Sequence, residues 1–102
     1  MNLDAAFDEI ASAMAKASKG DGHDLASQAV ERNGLIEQTK GAPSQVTVWE
    51  RVVEGRTLRF MWRWYDPSQA FSIRPDINVL TLEILNGDDV VRREEHRYED
   101  QY

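Results

Sequence analysis

QVTVWERVVEGRTLRFMWRWY, residues 45–65, decides the fold of this chain. Two runs rich in β-branched and aromatic residues flank the dipeptide Glu54-Gly55, and a two-residue loop of that kind closes an antiparallel hairpin. Closure there sets Glu50 opposite Arg59 and Trp49 opposite Phe60, with Val53 facing Arg56, Arg51 facing Leu58 and Thr47 facing Trp62. An opposite-charge or aromatic cross-strand pair contributes about 0.2–1 kcal/mol over a neutral one. A slip of one residue would set Glu50 against Phe60 and exchange the faces of both strands. The register therefore sorts the side chains. Trp49, Leu58, Phe60, Trp62 and Trp64 line one face, and Val48, Glu50, Arg59, Met61, Arg63 and Tyr65 line the other.

The aromatic face needs a cover, because each Phe or Trp has about 150–250 Å² to bury. Upstream, Leu3, Phe7, Ile10, Met14 and Ala17 recur at steps of four and three, which predicts a helix over 3–17 with one apolar stripe. Asn2 is placed to cap its start, and Lys16, Lys19 and Gly20 mark its end. The stripe is too short for a sustained coiled coil, so packing on the sheet is expected. A second helix is predicted over 24–33, capped by Asp24, burying Leu25, Ala26, Ala29 and Val30, and stopped by Gly34. A short peripheral strand over 35–39 and a turn over 41–44 lead into the hairpin.

Downstream, Asp66-Pro67-Ser68-Gln69 predicts a turn and Ala70–Ile73 a short strand, broken by Arg74-Pro75-Asp76. Residues 77–85, INVLTLEIL, form the next long strand, with Leu80, Leu82 and Ile84 on one side and Val79, Thr81 and Glu83 on the other. Asn86-Gly87 is a strong hairpin signal and favours a strand over 90–98, although the charged composition beyond it also suits a helix starting at Asp88 or Asp89. The fold class is α+β: two N-terminal helices packed on one face of a four- to six-stranded, mainly antiparallel sheet. Residues 1–102 are expected to form a single domain, with 1–34 as the helical layer and 35–102 as the sheet.

Composition bounds the function. The 102 residues contain no cysteine, so one modest hydrophobic core must hold without disulfides. Hydrophobic and charged fractions of 41% and 29% are those of a folded protein. No apolar run approaches the ~20 residues of a membrane span. Asp4, Asp8 and Glu9 stand where a signal peptide would be positive, so a cytoplasmic location is expected. The net charge of −6 divides into −3 over residues 1–44, +2 over 45–75 and −5 over 76–102. That balance disfavours nucleic-acid binding, which draws its affinity from Lys and Arg against phosphates.

Signals for chemistry are sparse. The chain lacks a cysteine nucleophile, a Gly-rich phosphate loop, a serine elbow and any spaced metal motif, so no catalytic residue, metal or cofactor is expected. Asp21, His23 and Asp24 gather at a predicted helix start, which accounts for them structurally. Glu94, Glu95, His96 and Tyr98 also gather, but strand alternation sends Glu95 to the side opposite His96. The expectation is a non-enzymatic protein-interaction module, a small acidic accessory protein of the immunity or antitoxin kind. Its interaction surface is the mixed face of Val48, Glu50, Arg59, Met61, Arg63 and Tyr65. Nine arginines against three lysines accord with an interface, where Arg, Met, Tyr and Trp are enriched. Two helices can cover only one sheet face, so a symmetric homodimer through the other face is expected, with a heterologous protein as a further partner. The alternative is a small-ligand-binding domain or small enzyme with a pocket at the open end of the sheet. Trp62, Trp64 and Arg74 would line it, with Asp76 and His96 as the reactive groups.

Overall fold

A computed structural model describes residues 2–16, 22–38, 46–65 and 77–99. Two helices, α1 (Leu3–Ala15) and α2 (Gly22–Arg32), precede five strands: β1 (Ile36–Glu37), β2 (Val46–Val53), β3 (Arg56–Tyr65), β4 (Ile77–Asn86) and β5 (Asp89–Glu99). The strands form one antiparallel sheet in the order β1-β2-β3-β4-β5. The expected turns over 41–44 and 66–69, the strand over 70–73, Ala17, Lys19, Gly20 and Thr39 lie outside the described residues.

The start of α1 and the end of α2 have identifiable causes. The Asn2 carboxamide oxygen accepts from the backbone N–H groups of Asp4 at 2.9 Å and Ala5 at 3.4 Å, satisfying donors that the first turn leaves unpaired. Helix α2 starts at Gly22, two residues ahead of the expected cap, so Asp24 lies within the first turn and is not the N-cap. An acid is favoured anywhere in that turn by the helix dipole, which is why residue type alone misplaced the boundary. At the other end Gly34 adopts φ 80. Its N–H donates to the Glu31 carbonyl at 3.0 Å, and the Leu35 N–H donates to the Val30 carbonyl at 3.2 Å. This Schellman pair folds Leu35 back into the core beside Val30.

The β2–β3 register is the one the sequence predicts, from Val46 opposite Arg63 to Val53 opposite Arg56. Glu54 and Gly55 both take positive φ, 52 and 79, as a type I′ turn requires. The β4–β5 loop falls on Gly87 and Asp88, one residue beyond the Asn-Gly signal, with Asn86 opposite Asp89. Gly87 alone of the two has positive φ, 62, which gives a II′ turn. A bulge follows: Leu85 pairs with Val90 and Ile84 with Arg92, leaving Val91 as the extra residue.

The helices cover the face bearing Trp49, Leu58, Phe60, Leu80, Leu82 and Ile84, all buried against Leu3, Phe7, Ile10 and Met14. Trp49 and Phe60 pack with centroids 5.4 Å apart and planes tilted by 45°. Polar ties fix the layers. Arg92 of β5 lies over the Phe7 ring at 3.9 Å and donates to Asp8 at 2.8 Å and Asp4 at 3.3 Å. The Asp8 hydrogen bond, with that to Asp4, holds the Arg92 guanidinium above its ordinary pKa. Between the helices, Glu9 receives the Asn33 amide and Arg32 at 3.4 Å. The Asn33 contact, with Arg32 beside it, keeps the Glu9 carboxyl below the usual carboxylate range. Arg51 of β2 donates to the Asn33 carbonyl at 2.9 Å and so anchors the end of α2 to the sheet.

Strand β4 is buried along both faces, Val79, Thr81 and Glu83 included. It is an interior strand, and the side chains opposite it on this second face are long ones: Met61 and Glu95 flank Thr81, and Arg59 and Arg93 flank Glu83.

Candidate functional site

The face away from the helices is organised as rows running across the strands, because antiparallel partners point to the same side. One row reads Glu50, Arg59, Glu83, Arg93 from β2 to β5, and Ile36 of β1 continues it beyond Glu50. Arg59 Nε stands 2.7 Å from Glu50 Oε2. Toward the turns, the next row is Val52, Thr57, Leu85, Val90. In the opposite direction comes Val48, Met61, Thr81, Glu95, where the Thr81 hydroxyl donates to Glu95 at 3.3 Å and Arg93 reaches the same carboxylate at 2.9 Å. Arg63 is exposed in the row beyond.

The centre of this face is self-covered and its margins are not. Thr81 and Glu83 are 1% and 8% exposed, whereas Ile36 and Val52 are 69% and 68% exposed and Val90 and Val91 about half. Solvent therefore meets Glu50, Arg59 and Arg93 of the charged row, with Glu83 covered between the two arginines, beside exposed aliphatic side chains. Val48, Glu50, Arg59, Met61 and Arg63 all lie here, on the face the hairpin register assigns them. Tyr65 occupies its expected register position opposite Ile77, its side chain outside the described residues. Sequence reasoning missed Leu85, Val90, Arg93 and Ile36 as members of this face, since strand pairing beyond the hairpin brings them there.

On the helix-covered face, at the end of the sheet away from the hairpin turns, Trp62, Leu80 and His96 form one row and Trp64, Asn78 and Tyr98 the next. The Trp62 indole N–H donates to Asn78 Oδ1 at 2.8 Å. Because the indole nitrogen can only donate, it fixes the orientation of the Asn78 amide. Asn78 is 1% exposed, and its Nδ2 has no hydrogen-bond partner among the described residues. The half-buried His96 has Nε2 3.4 Å from Glu94 Oε2. The register thus brings Trp62 and His96 together, and Trp64 to the neighbouring row. Arg74, Asp76, Asp21 and the side chains of Trp64, His23 and Asp24 lie outside the described residues. Asn78 was not singled out from the sequence, although a carboxamide among the apolar residues of 77–85 is a signal that could have found it.

A shallow groove of about 380 Å³ runs between the helices, bordered by Glu9, Lys16, Leu25 and Arg32. Among the described residues no three His, Asp or Glu side chains converge as a metal site, and no helix is long and apolar enough to cross a membrane. Compared with known protein families, with characterised proteins and with solved structures, the chain matches none.

Proposed function

We propose that this chain is a non-enzymatic protein-interaction module, a small acidic accessory protein of the immunity or antitoxin kind, that acts in the cytoplasm through its open sheet face. The alternating row Glu50, Arg59, Glu83, Arg93, bordered by exposed Ile36, Val52 and Val90, is the observation that supports this reading. Arginine and aliphatic groups side by side offer a partner both directional ion pairing and apolar area. The net charge of −6 favours a protein partner over a nucleic acid. The test is affinity capture from the host's own extract, with the parent chain and Met61→Glu as paired baits. A partner retained by the parent and lost by a Met61→Glu bait of unchanged circular dichroism supports the reading. Retention by both baits refutes it.

A second reading is favoured by the orphaned Asn78 amide beside Trp62 and His96: a small-ligand-binding domain or small enzyme whose pocket opens at that end of the sheet. A buried donor without a partner is the kind of group a ligand oxygen satisfies. Tryptophan fluorescence that responds saturably to a small carboxylate or amide, with the response lost in Asn78→Leu, would favour it over the interaction module.

A further inference from the structure

Two neighbouring rows of the open face are complementary to themselves, and we propose that the occupant of this face is a second copy of this chain, stacked face to face about a two-fold axis parallel to the strands and running between β3 and β4. The inference rests on the reading of this face as an interaction surface and specifies its partner and register. Rotation about that axis reverses each transverse row. The row Glu50, Arg59, Glu83, Arg93, read against its own reverse, sets Glu50 over the partner's Arg93 and Arg59 over the partner's Glu83, with the two reciprocal contacts generated by symmetry. The neighbouring row reverses onto itself equally well. Val52 falls over the partner's Val90, and Thr57 over the partner's Leu85.

The alternative in-plane axis, along the row, is excluded by charge. It would place Glu50 over Glu50 and Arg59 over Arg59, and juxtaposed like charges are strongly disfavoured. The division of labour follows from desolvation. Ion pairs taken out of water come close to breaking even, so the charged row selects orientation and register, while burial of the exposed Val52 and Val90 supplies affinity. The size is adequate. Four strands about 4.8 Å apart and about 27 Å long present roughly 500 Å² per copy, or about 1,000 Å² in total, at the lower bound of a specific interface. Sheet twist, which crosses stacked sheets by about 30°, displaces the ends of the row but stays within the reach of Arg and Glu side chains. Indefinite edge-to-edge growth is a poor competitor, because β5, the long edge strand, is bulged and densely charged.

The experiment is a charge-reversal mixing test by sedimentation equilibrium across the micromolar range, on E50K and R93E prepared separately. Both positions are solvated enough to vary, with side-chain exposures of 26% and 55%. The parent chain should weigh twice 11.7 kDa. E50K alone sets cation over cation, R93E alone sets acid over acid, and each should raise the dimer dissociation constant by about tenfold or more. In an equimolar mixture the introduced cation meets the introduced acid and the untouched Arg93 of the E50K chain meets the untouched Glu50 of the R93E chain, so the dimer should return. Recovery on mixing also shows that both variants are folded. Val52→Asp, at a solvated site, is the independent probe and should weaken the dimer with unchanged circular dichroism. A parent mass of 11.7 kDa at every concentration overturns the dimer and leaves the interaction-surface reading to the capture experiment. Dimers that persist in E50K, R93E and Val52→Asp, or folded single variants that stay monomeric when mixed, overturn the face or the register.

Discussion

Asn78→Asp exchanges one amide nitrogen for oxygen and turns the unpartnered Nδ2 into a stability measurement. In the parent chain the indole of Trp62 donates to Oδ1 at 2.8 Å, and the residue is 1% exposed. As a neutral acid the new side chain keeps that acceptor. As a carboxylate it is a charge withdrawn from water, and burial disfavours the charged form. Burial therefore holds such a carboxyl well above its unfolded value of about 3.9. The sign follows from linkage. With the folded pKa above the unfolded one, the cost is absent below about pH 3.9, grows by about 1.4 kcal/mol per pH unit between the two values, and is constant above the higher one. The variant should therefore match the parent within about 1 kcal/mol near pH 4 and be weaker by about 3–4 kcal/mol near pH 8, a large part of a total stability of 5–15 kcal/mol. Urea unfolding at a series of pH values, followed by tryptophan fluorescence, reads the difference directly. His96 stands one row away on the same face, so the pair is repeated in a His96→Gln background to remove its titration. A difference between variant and parent that stays flat from pH 4 to 8 would refute the reasoning and mean that water reaches Asn78.

Two further outcomes test the assignment of the core and its connections. Phe60→Ala, at a fully buried position between Trp49 and Leu82, should lose about 3–5 kcal/mol, seen as a melting temperature lower by at least about 12 °C; a fall of only a couple of degrees would reassign the core face. Gly34→Ala should cost about 1–2 kcal/mol for a left-handed backbone and more where its methyl, set against Arg51 Nη1, displaces the tie from β2 to α2; an unchanged urea midpoint would contradict that geometry.

What the sequence alone determined is local. The stripe of Leu3, Phe7, Ile10 and Met14, the Asn2 cap and the Gly34 stop are set within single turns of chain, and each is present as read. The β2–β3 register is legible for the same reason: a two-residue loop leaves one pairing that puts Trp49 on Phe60 and Glu50 on Arg59, and with it half of the open face. The other half was decided by tertiary structure. Strict alternation from the β4–β5 turn would send Val91, Arg93, Glu95 and Arg97 to the helix side. The bulge at Val91 shifts the parity, so that Arg92 meets Phe7, Asp4 and Asp8, and Arg93 and Glu95 complete the charged rows outside. One extra residue distorts the ladder only locally, so neither composition nor period fixes where it falls. Its position depends on which side chains α1 accepts against β5, and those contacts join residues more than eighty positions apart. The double burial of β4 and the orphaned amide of Asn78 have the same origin, since both depend on what the strands on either side present to them.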